Sequence, residues 1–435
     1  MTYAEAVQFL YDLQLFGAKF GLENTFKIAA LVGNPQEKLR FVHVAGTNGK
    51  GSTCAMLESI YRAAGLRVGL FTSPHLVSFA ERIQVNRQLI PEANIVRLVA
   101  EIQRLLKQFP TDAHPTFFEV VTVMALKYFA EQKCDLVIWE TGMGGRLDAT
   151  NIVTPLASVI TNVALDHQKW LGNSLAEIAA EKAGIIKTSV PVITAANEPE
   201  ALDVIVKTAR EKNSPLTRIS FAEAKMSPLD KIDLPLLGEH QRLNAALAMT
   251  TASVLGSVIP VSHDAIHSGL SQVTWPGRLQ QIKTKTGQMI LLDGAHNPSG
   301  AMALRDAIAK HFPGKKPTLI LGILQDKEWS SICDILASLA ETVYLVPVSS
   351  ERTTAPEELE PAIRKTNPSA KIVTLNSLAE ALEATAQDSF VVISGSLYLV
   401  GEALELFQVN KPVAANERGL NEWNAAITTT DQPSR

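Results

Sequence analysis

Several features that would take a chain out of the ordinary enzyme classes are scarce or missing here. Three cysteines in 435 residues (Cys54, Cys134, Cys333) are odd in number and far apart. That excludes a disulfide framework and a cysteine-held metal, and reads as reduced thiols. Charge of one sign is not in excess: the net charge of −4 offers neither nucleic acid nor an anionic membrane a partner surface. No apolar run approaches the ~18 residues that a membrane helix needs. Met1-Thr2-Tyr3-Ala4-Glu5 lacks the basic start and apolar core of a signal peptide, so the chain reads as cytoplasmic. Internal repeats and low-complexity tracts are also absent. What is plentiful is apolar material, 46% hydrophobic against 19% charged, enough for more than one core; at 435 residues two domains are the natural expectation.

The strongest local signal is Val42-His43-Val44-Ala45-Gly46-Thr47-Asn48-Gly49-Lys50-Gly51-Ser52-Thr53. An apolar strand over 41–45 runs into a glycine-rich turn, and the spacing predicts an amphipathic helix over 53–64. Such a turn cradles phosphates: glycines let backbone N–H groups approach the oxygens, and the helix dipole favours negative charge. Lys50 neutralises that charge, and Ser52 or Thr53 can face a metal. The match to the usual phosphate-loop pattern is imperfect, since the turn is short and Gly51 intrudes between Lys50 and Ser52. A turn that merely links strand to helix is the bland reading, and the lysine at the helix start weighs against it.

Around this motif, strand and helix signals alternate as in a doubly wound α/β fold. A helix is expected over 4–16, a strand over 67–71, a hairpin at Asn86-Arg87 and helices over 92–108 and 115–131. Strands follow over 135–139 and 155–161, then a helix over 174–183 whose Ser174 and Glu177 have capping-box spacing. Thr274-Trp275-Pro276-Gly277-Arg278 is the candidate hinge. Beyond it a second series predicts strands over 289–292, 317–321, 342–346, 371–374 and 389–393, with helices between and after them, in a smaller parallel sheet. The domains are therefore placed at 1–276 and 277–409, with a loosely ordered polar tail over 410–435.

Open α/β sheets bind ligands beyond the carboxyl ends of their strands. In the first half those ends carry Ser73, Glu140 and Asp166-His167, oxygens and an imidazole suited to Mg²⁺ beside phosphate. In the second half they carry Asp293-Gly294-Ala295-His296-Asn297-Pro298. The bland readings are a solvated strand-end charge for Glu140, a structural imidazole for His167, and helix capping for Asp293 and Asn297. A site between two such halves suits a reaction that joins two substrates, with closure excluding water.

Taken in order, Val44 to Ser52, Thr72-Ser73-Pro74-His75-Leu76, Glu81-Arg82-Ile83, Gly144-Gly145-Arg146-Leu147-Asp148-Ala149-Thr150-Asn151, Ala164-Leu165-Asp166-His167 and Glu181-Lys182-Ala183-Gly184-Ile185-Ile186-Lys187 resemble the folylpolyglutamate synthase/dihydrofolate synthase family of the Mur-ligase group. Leu292-Asp293-Gly294-Ala295-His296-Asn297-Pro298 and Ser394-Gly395-Ser396-Leu397-Tyr398 extend the resemblance through the second half, and Gly51 agrees with this family's own form of the loop. The resemblance implies an α/β fold: a phosphate-loop ATPase domain with a mostly parallel sheet, plus a smaller C-terminal α/β domain. It implies a ligase using ATP and Mg²⁺ to add L-glutamate to folates, and to dihydropteroate, through an acyl phosphate.

By motif, Gly46, Thr47, Asn48, Gly49, Lys50, Gly51, Ser52 and Thr53 would bind the nucleotide with Asn244, Arg278 and Asp293. Ser73, Glu140 and His167 would hold the metal. Lys182 would be a carbamylated lysine, whereas without the resemblance it reads as a surface lysine beside Glu181. Asp293, His296 and Ser396 would handle the incoming glutamate, with Lys50, Lys182, His296 and Asp293 as the catalytic set. Small molecules are the expected partners, with no nucleic acid and no membrane, and the chain is expected to be a monomer. The competing readings are a Mur-type ligase for another acid, such as a peptidoglycan precursor, and a non-catalytic phosphate-loop protein. The first typically needs a further N-terminal domain, for which a loop starting at Gly46 leaves no room. The Asp293/His296 turn argues against the second.

Overall fold

The computed structural model describes residues 1–17, 21–110, 113–407, 409 and 417–422, and arranges them around two α/β sheets. The first sheet contains β1 (Phe41–Ala45), β2 (Val68–Phe71), β3 (Ile83–Val85), β4 (Gln88–Leu89), β5 (Leu136–Glu140), β6 (Ala157–Ile160), β7 (Val192–Thr194) and β8 (Leu216–Arg218). Their order is β4-β3-β2-β5-β1-β6-β7-β8, parallel except for the β3–β4 hairpin laid antiparallel on β2. β1 and β5 are buried along their whole length, as strands covered by helices on both faces must be. One layer of core gathers Phe41, Phe71, Phe129 and Trp139; the other packs Met56, Leu57, Ile60 and Leu247.

From β1 the chain leaves to one side for β2 and later returns on the other side for β6, so β1 stands where strand order reverses. The crevice beyond its carboxyl end is the natural ligand position of this topology. Register decides which residues meet there. Val44 pairs with Glu140, Ala45 with Ile160 and Phe71 with Trp139, so the residues ending or following four strands emerge at one edge.

The second sheet contains β9 (Gln280–Lys283), β10 (Met289–Leu292), β11 (Thr318–Leu321), β12 (Thr342–Leu345), β13 (Lys371–Thr374) and β14 (Phe390–Ser394), ordered β13-β12-β11-β14-β10-β9. Leu292 pairs with Ile393, which brings Asp293 and Ser396 out side by side. β9 was not expected. It runs antiparallel to β10 as an edge strand, and its alternation of half-buried Gln280 and Ile282 with exposed Gln281 and Lys283 leaves no apolar run to read.

Elsewhere boundaries move by a few residues. The helix expected from 53 is Lys50–Ala63, because Gly49 at φ +83° acts as its N-cap. The helix expected over 4–16 ends at Asp12 and continues as a 3-10 turn, Leu13–Phe16. The helix over 174–183 starts from Ser174 with the capping box in place.

The two halves are interlocked. Leu76 and Val77, which follow β2, are buried in the second half's core with Leu292, Ile393 and Val400. There the backbone of Gly401 approaches so closely that a Cβ would lie 2.1 Å from the Leu76 carbonyl oxygen. The expectation of a loose tail from 410 onward needs correction for 417–422: Glu417–Asn421 forms a 3-10 turn whose Glu417 and Leu420 are each only 1% exposed. The rest of the expected tail lies outside the described residues. No helix among the described residues is long and apolar enough to cross a membrane.

Candidate active site

A cavity of about 1070 Å³ opens between the carboxyl edges of the two sheets, and every sequence-predicted site residue except Thr53 lines it. Thr53 is fully buried inside the helix Lys50–Ala63, so the hydroxyl that can face the cavity is that of Ser52.

The phosphate loop is shaped by close neighbours. A Cβ on Gly46 would lie 1.8 Å from Thr161 Oγ1, and that hydroxyl donates to the Asn48 carbonyl at 2.6 Å. A Cβ on Gly49 would meet the Asn244 Oδ1 at 2.5 Å, which puts the Asn244 side chain directly on the loop. Gly51, the residue that broke the usual pattern, faces Trp275 Nε1 with room for a Cβ only at 2.9 Å. The departure from pattern thus has a steric cause in the segment between the two sheets. The Lys50 ammonium donates to the Gly46 and Thr47 carbonyls at 3.0 and 3.2 Å, at the mouth of the cradle.

Glu140 arrives at the end of β5 nearly fully buried, its Oε2 accepting from the Ser73 backbone N–H at 3.1 Å. Burial pushes its carboxyl up to about 7, against the pull of Lys50, the Ser73 N–H and Arg278. A buried carboxyl with its charge disfavoured is a ready partner for a cation. His167 sits in the left-handed region at φ +51°, held neutral by burial and by Lys327, which bring it down to about 3. Among the described residues no three His, Cys, Asp or Glu side chains gather closely enough to hold a metal alone. The donors fit a cation held mainly by phosphate and water, with one carboxylate and a hydroxyl from the protein, as Mg²⁺ prefers.

Lys182 lies at the end of the helix Leu175–Ala183, 3% exposed, and not on a solvated face. The neighbouring Glu181 pairs with Arg146 at 2.7 Å. Burial, followed by repulsion from Lys50, lowers the Lys182 ammonium to about 7, so a large share of it is the neutral amine near neutral pH.

From the second half, Asp293 accepts from the Leu279 and Ala295 backbone N–H groups, each at 2.9 Å, and Asn297 Oδ1 caps the helix Pro298–His311 through Gly300. The capping reading is therefore true of Asn297 alone; Asp293 instead braces the turn before the helix and faces the cavity. Arg278 lies over Gly294, where a Cβ would come within 2.6 Å of its Nη1. His296 Nδ1 lies 2.7 Å from the Gly294 carbonyl. A carbonyl can only accept, so Nδ1 carries the proton and Nε2 keeps its lone pair. Burial and Lys327 bring His296 down to about 4, which keeps it neutral. Ser396 caps its helix by accepting from Tyr398 N at 3.1 Å.

Sequence reasoning missed the ties across the cavity. Lys327 Nζ and Asp166 Oδ1 are 2.7 Å apart, both side chains under 10% exposed. Burial alone would raise the Asp166 carboxyl; the Lys327 ammonium, by charge and by hydrogen bond, overrides it and holds it well below the usual range. Asn48 and Asn297 exchange amide hydrogen bonds at 3.2 and 2.9 Å, and Asn297 also donates to Asp166 at 3.1 Å. Nothing in the sequence gave Lys327 a role, and only the docking of the halves gives it one.

The comparisons with known proteins agree with this geometry. The Mur ligase middle domain family matches residues 44–252, and the family described as Mur ligase, glutamate ligase domain, matches residues 277–397. The dihydrofolate synthase/folylpolyglutamate synthase of Bacillus subtilis is 34% identical over 423 residues, 92% of this chain and 98% of that protein. The folylpolyglutamate synthase of Lacticaseibacillus casei is 35% identical over 424 residues, 92% of this chain and 97% of its own. Among solved structures, the Escherichia coli FolC complex with DHPP and ADP superposes with a TM-score of 0.82 at 32% identity, covering 94% of this chain and 98% of that one.

Proposed function

Because the chain belongs to the folylpolyglutamate synthase/dihydrofolate synthase family of Mur ligases, we propose that it is an ATP-dependent carbon–nitrogen ligase that joins L-glutamate to a folate carboxylate. The observation that carries this reading is the shared cavity: the phosphate loop of the first half and the Asp293–His296 turn of the second face the same space.

In the first step a carboxylate oxygen of the folate attacks the γ-phosphorus of ATP, the bond to the bridging oxygen breaks, and ADP leaves with the electron pair. The amine of glutamate then attacks the acyl carbon, phosphate leaves, and the nitrogen gives up a proton. Both steps bring anions together, so the work is positioning and charge stabilisation. Lys50 and the N-terminus of the helix Lys50–Ala63 face the phosphates, with Asn244 and Arg278 completing the nucleotide site. Neutral His296, its Nδ1 fixed on the Gly294 carbonyl, presents Nε2 to accept the proton of the amine. Ser73, Glu140 and His167 would hold Mg²⁺, which supplies charge neutralisation on the phosphates when bound. Lys182, buried and readily neutral, is the amine that CO₂ converts to a carbamate beside that metal.

Phe117, Phe118, Met143 and Leu147 give the cavity an apolar stretch suited to a flat heteroaromatic ring. The enzyme accepts dihydropteroate as well as folates, a reading supported by the Gly145-to-Asn151 and Ser73-to-Val77 segments. The test is a side-by-side assay with tetrahydrofolate and dihydropteroate, products weighed by mass spectrometry. Each should gain one glutamyl residue; no product from dihydropteroate would remove the second activity, and none from either would remove the ligase reading.

A further inference from the structure

Part of the cavity wall comes from the far C-terminal segment, through Leu420, Asn421 and Glu422. Glu417 anchors this strap to the first half, its carboxylate accepting from Phe79 N at 2.6 Å, Tyr3 OH at 2.9 Å and Ser78 Oγ at 3.1 Å. Asn421 accepts from Arg82 at 2.6 Å and donates to the His75 carbonyl at 2.9 Å. Gln14 Nε2 donates to the Glu422 carbonyl at 2.7 Å. With its backbone held there, Glu422 reaches across to the second half, where its Oε2 lies 2.9 Å from Arg352 Nε. Arg352 is oriented by its own half, through Asp326 Oδ1 at 3.1 Å and Tyr398 OH at 2.9 Å.

Two features mark the Glu422 carboxylate as a replaceable occupant. Its Oε1 is buried and, among the described residues, has no hydrogen-bond partner, a costly state for a carboxylate oxygen. Its Oε2 also meets the guanidinium at Nε, on the edge where a carboxylate approaching freely can be gripped by two N–H groups. Arg352 lines the same cavity as His296 and Ser396, and Glu422 carries the same side-chain carboxylate as free glutamate.

We propose that Arg352 binds a carboxylate of substrate glutamate, and that Glu422 of the C-terminal strap fills this position in the unliganded enzyme and competes with the substrate. The proposal rests on the glutamate-ligase reading above. The carboxylate could belong to the incoming amino acid or to the terminal glutamyl group of the folate, and the arms of the test separate the two. Steady-state kinetics are measured on full-length wild type, Glu422→Ala, Glu422→Gln and Arg352→Lys; the glutamine variant keeps the side chain's size should the alanine variant fail to fold. Losing a partly exposed ion pair as competitor should lower the KM for L-glutamate about two- to fivefold in Glu422→Ala. The KM for ATP should stay put, and Arg352→Lys, which loses the planar fork, should raise the same glutamate KM. A lower KM for tetrahydrofolate, with that for L-glutamate unmoved, would instead assign Arg352 to the glutamyl group of the folate. Unchanged or higher KM values for both substrates in both Glu422 variants would overturn the proposal. A wild-type enzyme that forms no amide would overturn the ligase reading and this proposal with it, a result separable from the former because the wild type is assayed first.

Discussion

At position 182 burial takes a lysine out of water, and the nearby Lys50 adds repulsion. Both effects favour the neutral amine, the form that carbamate formation requires. Lys182→Ala should therefore lose most activity, and a small added carboxylate should restore part of it; a fully active variant would contradict the role. Lys50 differs because it stands at the cavity and not in a core, so Lys50→Ala should keep its circular dichroism spectrum while turnover falls at least about 100-fold. Near-normal ligation by that folded variant would remove the phosphate-loop assignment. Residues of these two kinds differ in how far the sequence reveals them. Lys50, Glu140 and Asp293 were legible because a strand or a glycine turn delivers them to a sheet edge. Lys327, Arg352 and Glu422 were not, because each gains meaning only from a partner more than 60 residues away in the chain.

The elements follow the same division. Strands buried on both faces, such as β1 and β5, and helices with capping boxes, such as Leu175–Ala183, carry their identity in local pattern. β9 and the turn Glu417–Asn421 do not, since one is a polar edge and the other is held by side chains from distant parts of the fold. β1 also carries a pH liability. His43 within it is fully buried against Thr150 Oγ1, and burial lowers its imidazole to about 3. In the unfolded chain it returns to about 6.5, so as pH falls below that value the unfolded state takes up a proton that the folded state refuses. Stability from this residue is complete above about pH 6.5 and declines by about 2 kcal/mol at pH 5. Melting temperatures from pH 7 to 5 should show the decline, and His43→Gln should make it shallower, since other buried histidines such as His167 and His296 add to it; equal slopes would contradict this account.

Across the whole molecule, the cavity is closed by ties that run from one half to the other: Lys327–Asp166, Asn48–Asn297, Arg352–Glu422 and the insertion of Leu76 into the second core. Leu76→Ala should cost about 2–4 kcal/mol and, by loosening the interlock, separate the unfolding of the two halves in calorimetry. A single transition at wild-type temperature would contradict this. Substrates that bridge both halves should draw them together about the segment 274–278, with a substrate carboxylate replacing Glu422 on Arg352, and small-angle scattering should show compaction with ATP, folate and glutamate together; identical profiles in every state would count against closure. The central claim is that this cavity couples ATP cleavage to amide formation between two substrates held by different halves. Phosphate release measured with each substrate omitted in turn tests it most directly. The account predicts one phosphate per amide formed, with release dependent on both the folate and L-glutamate. Phosphate released at the same rate without either, and no amide formed, would contradict it.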